Sequence, residues 1–157
     1  MSKIAIFLWF DGQAEAAADF YVSTFQACGQ DATTDRPAGS GGKAMSASFT
    51  LAGQDFIALN GGPHFTFSPA ISLFVRCADQ AEVDQFWDRL SDGGEPQRCG
   101  WLKDRFGVSW QIVPTALGEM LQAPDRTAAN RVMQAMMGMT KLDIAGLRAA
   151  YDGQTAA

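Results

Sequence analysis

Apolar and polar positions along this chain follow two different periods, and the switches between them mark its elements. Lys3 to Phe10 (Lys-Ile-Ala-Ile-Phe-Leu-Trp-Phe) is almost unbroken in its apolarity and predicts a strand buried on both faces. Asp11-Gly12 ends it, and Asp11 stands where it can cap the helix that follows. There the period changes, because Ala14, Ala17, Ala18, Tyr21 and Phe25 fall on one helical stripe. Residues 29–42 are rich in Gly, Asp and Thr and read as a loop with room for a weak edge strand. Two strands follow, Lys43 to Ala52 and Gln54 to Asn60, joined tightly at Gly53. Asn60 to Pro69 carries too much Gly and Pro for regular structure and reads as a connector.

The order then restarts. Ile71 to Cys77 predicts a strand, and Asp79-Gln80-Ala81-Glu82 is a capping-box-like helix start. Val83, Phe86, Trp87 and Leu90 follow at helical spacing until Gly93-Gly94. Cys99 to Pro114 predicts a hairpin, with Trp101 and Leu102 on its first strand and Asp104-Arg-Phe-Gly107 as its turn. On its second strand Val108, Trp110 and Ile112 alternate with Ser109 and Gln111. The restart is a repeat. Gln13-Ala14-Glu15 matches Gln80-Ala81-Glu82 at an offset of 67, which also pairs Phe7 with Phe74 and Phe20 with Trp87. The strand after Gly53 matches the strand after Gly107 at an offset of 54, which pairs Phe56 with Trp110 and Ile57 with Gln111. Trp110 and Trp87 are therefore expected in the core.

The pattern implies an α+β fold of two βαβββ modules, at about 3–62 and 70–114, within one domain over 1–123. Each module presents a curved sheet with its helix on the outer face, so the two concave faces can enclose a cavity. Pro114 to Leu121 reads as a short helix, and residues 124–157 as a C-terminal helical extension. In that extension Val132, Ala135, Met136 and Met139 mark one helix. Thr140 to Asp143 caps another, with Ile144, Leu147 and Tyr151 on one face. Five of the seven methionines lie between 120 and 139, as core or as an oligomer contact.

Composition narrows the function. The 157 residues are one domain's worth, and 47% hydrophobic residues supply a core. A net charge of −5 without a Lys/Arg cluster argues against nucleic acid and anionic membranes as partners, since both need a basic footprint. No apolar run approaches the roughly 18 residues of a membrane span, and the N-terminus lacks a secretory signal pattern, so a cytoplasmic protein is expected. Cys28, Cys77 and Cys99, odd in number and scattered, read as reduced thiols rather than a disulfide framework or a zinc site.

Several stretches together carry a family resemblance. They are Leu8-Trp9-Phe10-Asp11-Gly12 with Glu15 and Phe20-Tyr21, then Asn60-Gly61-Gly62-Pro63, and the whole of Cys99 to Pro114. The tail from Arg131-Val-Met-Gln-Ala-Met to Lys141-Leu-Asp-Ile-Ala adds to them. In these the chain resembles the PhnB-like branch of the vicinal oxygen chelate (glyoxalase/bleomycin resistance/dioxygenase) superfamily, often labelled 3-demethylubiquinone-9 3-methyltransferase. Metal-binding relatives place four ligands, typically His, Glu, His and Glu, on inward positions of the first and last strands of each module. The resemblance maps these onto Ile4, Ile57, Ile71 and Gln111. One amide among three isoleucines cannot hold a divalent ion, so neither a metal nor another cofactor is expected. A one-residue shift would bring in Ala5, Phe56 or Ala58, or Ser72. A methyltransferase of the usual kind needs a strand–glycine–helix unit for its nucleotide cofactor, and the sequence has none.

Three functions compete. The first is a metal-independent small-molecule binding protein with an unidentified ligand. Its cavity would be lined by Ile4, Ile6, Ile57, Leu59, Ile71, Leu73 and Gln111, with Trp101 and His64 near the entrance. The second is a glyoxalase- or dioxygenase-like enzyme, metal-dependent through other ligands or using His64 with Asp55 or Asp104 as acid and base. No catalytic residue is assigned. The third is assembly: a homodimer held by a tail whose Val132, Met136, Met139, Ile144 and Leu147 offer an apolar surface. The cavity would form either within one chain or across that dimer.

Overall fold

Both halves of the repeat build a four-stranded mixed sheet with a helix across one face, in a computed structural model that describes residues 2–35 and 45–154. The first sheet comes from β1 (Ile6–Phe10), β2 (Ala32–Thr34), β3 (Ser46–Leu51) and β4 (Gln54–Asn60), with α1 (Ala14–Ala27) between β1 and β2. Its order is β1-β4-β3-β2, with β1 parallel to β4 and the other pairs antiparallel. The second comes from β5 (Leu73–Cys77), β6 (Glu95–Pro96), β7 (Trp101–Lys103) and β8 (Ser109–Pro114), with α2 (Gln80–Ser91) after β5. Its order, β5-β8-β7-β6, and its pattern of parallel and antiparallel pairs are the same. Register repeats as well: Phe7 stands beside Ile57, and Phe74 beside Gln111, as the two sequence offsets require. Each sheet with its helix is thus a βαβββ module, the architecture that the family resemblance implied.

α1 lies close on its sheet because alanines form its inner stripe. Ala14, Ala17 and Ala18 are fully buried with Tyr21, over a sheet face made of Leu8, Phe10, Ala47, Phe49, Phe56 and Ala58. Phe49 and Phe56 stack across β3 and β4 with ring centroids 5.1 Å apart. Among the described residues of this unit no helix lies on the opposite face of the sheet, and this corrects the expectation for the first strand. Leu8 and Phe10 are buried, but Phe7, next to Leu8 and pointing to the other face, is 55% exposed. The strand is buried on one face; on the other Phe7 is open to solvent and Trp9 half-buried. Capping of α1 also differs from expectation. The amide of Ala14 donates to Asn60 Oδ1 at 2.8 Å, so a β4 side chain does what Asp11 was expected to do. Turns follow the sequence more closely. Ala52-Gly53, both at positive φ (48° and 86°), closes β3 onto β4, and Gly107 at φ 93° closes the second hairpin.

Contacts divide the chain into two compact units, Met1–Phe67 and Ser68–Ala157. After β8 come α3 (Thr115–Leu121), α4 (Arg126–Met137) and α5 (Ile144–Tyr151), and they belong with the second sheet. Val132, Leu142 and Leu147, all fully buried, pack with Val113, Ala116, Leu117 and Met120, and Met136, Met139 and Ile144 pack around them. The residues expected to form an oligomer contact are thus largely the internal core of this unit. Among the described residues no helix is long and apolar enough to cross a membrane. Part of the expected strand from Lys43 and half of the 29–42 loop lie outside the described residues.

Candidate ligand-binding faces

In each unit the sheet face turned away from the helix carries exposed aromatic positions, and register fixes which residues share it; on the second sheet Ser109 and Val113 of that face are buried. On the first sheet Phe7, Ile57 and Ser48 form one row, and Trp9, Leu59 and Ser46 the next. Asp55, Thr50 and Thr33 form a third row, over which a cavity of about 480 Å³ opens. Its polar groups are held in place: the Thr33 and Thr50 hydroxyls are bonded at 2.8 Å, and Asp55 Oδ2 accepts from the Ser2 amide at 2.8 Å. At the other end the connector wraps the Trp9 indole. Trp9 Nε1 donates to the Gly62 carbonyl at 2.9 Å, and Phe65 meets the ring edge-on at a centroid distance of 5.0 Å. His64 is also beside it, at 6.5 Å between centroids. Gly61 makes this approach possible, since a Cβ there would sit 2.3 Å from the indole.

On the second sheet Phe74, Gln111 and Trp101 share a row. Gln111 Nε2 donates to Ser72 Oγ at 2.9 Å, which supplies the partner that an amide on an apolar face requires. Arg76, two residues along β5, lays its guanidinium over the Phe74 ring at 5.5 Å. On the reverse face Trp110 is 1% exposed and donates from Nε1 to Asp104 Oδ2 at 2.8 Å. Asp104 Oδ1 accepts from the amides of Phe106 and Val108, at 2.8 and 3.0 Å. Asp104, considered above as an acid–base group, is buried and builds the hairpin instead. Trp87 is buried too, as expected.

The expected lining residues therefore separate. Ile57 and Leu59 lie on the open face of the first sheet, and Trp101 and Gln111 on that of the second. Ile6 pairs with buried Phe56, and Leu73 with buried Trp110, so both face the helices. Ile4 and Ile71 precede their strands and are 73% and 75% exposed. His64 is exposed on the connector, and Asp55 lines the cavity of the first unit. Sequence reasoning missed Phe7, Trp9, Phe74 and Arg76, which occupy the inner positions of β1 and β5. The signal was available in part: if Phe56 and Trp110 are core, their neighbours Ile57 and Gln111 face the other way. What fails is the step across to β1, where both alternating sets are apolar, and to β5, where Phe74 masks the polar parity that Arg76 marks. Among the described residues no three His, Cys, Asp or Glu side chains converge as a metal site would need.

A sequence model of the 3-demethylubiquinone-9 3-methyltransferase family matches residues 2–113. Among solved structures the chain is similar to a PhnB protein from Bacillus cereus, at 35% identity and a TM-score of 0.60, over 72% of this chain and 99% of that one. It is also similar to a protein from Pseudomonas aeruginosa at 22% identity and a TM-score of 0.55, over 72% of this chain and 96% of the other. No functionally curated protein matches it. The family match ends at 113, so the tail that seemed to resemble the same branch lies beyond it.

Proposed function

We propose that this chain, which belongs to the 3-demethylubiquinone-9 3-methyltransferase (PhnB-like) family of the glyoxalase/bleomycin resistance/dioxygenase superfamily, is a metal-independent small-molecule binding protein. The observation that carries the reading is the open sheet face of each unit. Phe7 and Phe74, at equivalent positions of the repeat, are 55% and 49% exposed, beside Ile57 in one unit and Gln111 in the other. Solvent-facing aromatics in a row, with a few fixed polar groups beside them, are what a pocket for a small organic molecule needs. The methyl-transfer label finds no support in the architecture. Neither four-stranded mixed sheet is the doubly wound parallel sheet on which nucleotide cofactors are usually held.

Metal independence rests on the inner rows, where Ile57 and Gln111 stand at equivalent positions with phenylalanines as neighbours. Calorimetric titration with Zn, Ni, Mn and Fe should show no stoichiometric binding tighter than about 10 μM, a strength equivalent to roughly 7 kcal/mol. Stoichiometric binding of that strength, lost in Gln111→Ala, would favour the metal-dependent enzyme instead. Mass spectrometry of the denatured protein should release an organic ligand retained from the host. Homodimerisation belongs to the same reading, with exposed sheet faces rather than the tail as the adhesive. Sedimentation equilibrium at micromolar concentration should give twice 16.9 kDa, and a single species at 16.9 kDa rules the dimer out.

A further inference from the structure

We infer that the molecule bound at the second open face carries an oxyanion on a flat apolar body, and that Arg76 receives the oxyanion. The inference rests on the binding-protein reading and adds the ligand's chemical class. Repeat positions that match in place differ in chemistry: where the first sheet has Trp9, the second has Arg76. Arg76 is exposed, its cross-strand neighbour is the apolar Val113, and its one described contact is the Phe74 ring at 5.5 Å. Among the described residues no carboxylate or carbonyl engages its guanidinium. An arginine held over an aromatic face is fixed in orientation but keeps its planar fork of donors, the geometry that pairs with carboxylate, sulfonate or phosphate. The other cation on this face, Lys103, stands directly across from Glu95 and is in part compensated. Beside Arg76, the row of Phe74, Gln111 and Trp101 offers two aromatic side chains and an amide already turned to Ser72. Charge complementarity thus selects an anionic aromatic over a neutral or cationic one. A chain with a net charge of −5 gives such a ligand no general attraction, so the preference must be local.

Two probes with one skeleton test this: 1-anilinonaphthalene-8-sulfonate and the uncharged N-phenyl-1-naphthylamine, titrated by fluorescence into the whole protein. The sulfonate should bind about tenfold more tightly, the size of one charge-assisted pair. Arg76→Gln should remove that preference and leave the neutral probe unchanged, while Arg76→Lys should keep part of it. Arg76 is exposed, so neither variant threatens the fold, and unchanged thermal melts check this. Equal binding of the two probes, or a preference that survives Arg76→Gln, overturns the anion inference and leaves the binding face standing. If neither probe binds, the face is not a small-molecule site, and both readings fall together.

Discussion

Asp104 is the residue on which the second hairpin turns, since a carboxylate buried this deeply must have its oxygens occupied. It holds the turn amides of Phe106 and Val108 with one oxygen and the Trp110 indole with the other. Trp110→Ala should cost about 3–5 kcal/mol, the range for deleting a buried aromatic. Trp110→Phe keeps most of the apolar volume but removes the indole donor, and should cost about 1–3 kcal/mol. Because the groups share one network, Trp110→Phe combined with Asp104→Ala should cost less than the two changes added together. Urea denaturation of these variants and of Asp104→Ala alone measures each cost, and a Trp110→Ala loss below about 1 kcal/mol would contradict the packing described. Gly61→Ala tests the other indole. Its methyl group has no room against Trp9, so the ring must leave, and Trp9 fluorescence should shift to the red. Unchanged emission would mean that the connector does not seat the ring.

At the scale of elements, what was legible in the sequence was what is local. Asp79 caps α2 and Asp143 caps α5, each by accepting from the amide three residues on, as their spacing implied. Gly107 and Gly53 take the positive φ their turns need. Asn60 capping α1 was not legible, because its partner lies 46 residues away. Nor was the facing of β1 and β5, because period 2 gives parity within a strand but not register between strands. The brace between α2 and the tail is also nonlocal. Gln80 donates to Asp84 and to the Leu142 carbonyl and accepts from the Ile144 amide, while Lys141 pairs with Asp84 at 2.9 Å. The Gln80 hydrogen bond, followed by Lys141, holds the Asp84 carboxyl below its ordinary value. A depressed folded-state value means that the pair's contribution is present above the ordinary Asp range, near pH 4, and is lost as pH falls through the folded-state value. Asp84→Asn should therefore lower stability modestly at pH 7, by less than about 1 kcal/mol at so exposed a site, and by nothing near pH 2. Denaturant midpoints at the two pH values measure this, and a deficit that persists in acid would assign the effect to something other than the charge.

For the molecule as a whole, the tail decides what the second unit is. The backbone of the Cys99-Gly100 turn, at positive φ, donates to the carbonyls of Met139 and Thr140, which ties the link between α4 and α5 to the start of β7. Below it Val132, Leu142 and Leu147 fill the space over Val113, Ala116, Leu117 and Met120. Each fully buried aliphatic side chain contributes roughly 1.5–3 kcal/mol, so these three together rival the stability of a whole domain, about 5–15 kcal/mol. The relatives cover 72% of this chain and nearly all of their own length, and the family match ends at residue 113, before the tail begins. The sheet is fitted to that tail: Gly100 has Leu142 side-chain atoms where a Cβ would be, about 2.9–3.0 Å away. A chain ending at Ala123 should therefore lose the cooperative unfolding of the second unit, with Trp101 and Trp110 emission shifted toward that of the unfolded protein, and should aggregate through the exposed cluster. An oligomer contact in the tail predicts something else, a soluble, folded monomer that has merely lost its partner. If the shortened chain melts as the full one does, the cluster contributes little, and the tail's role lies between molecules rather than within one.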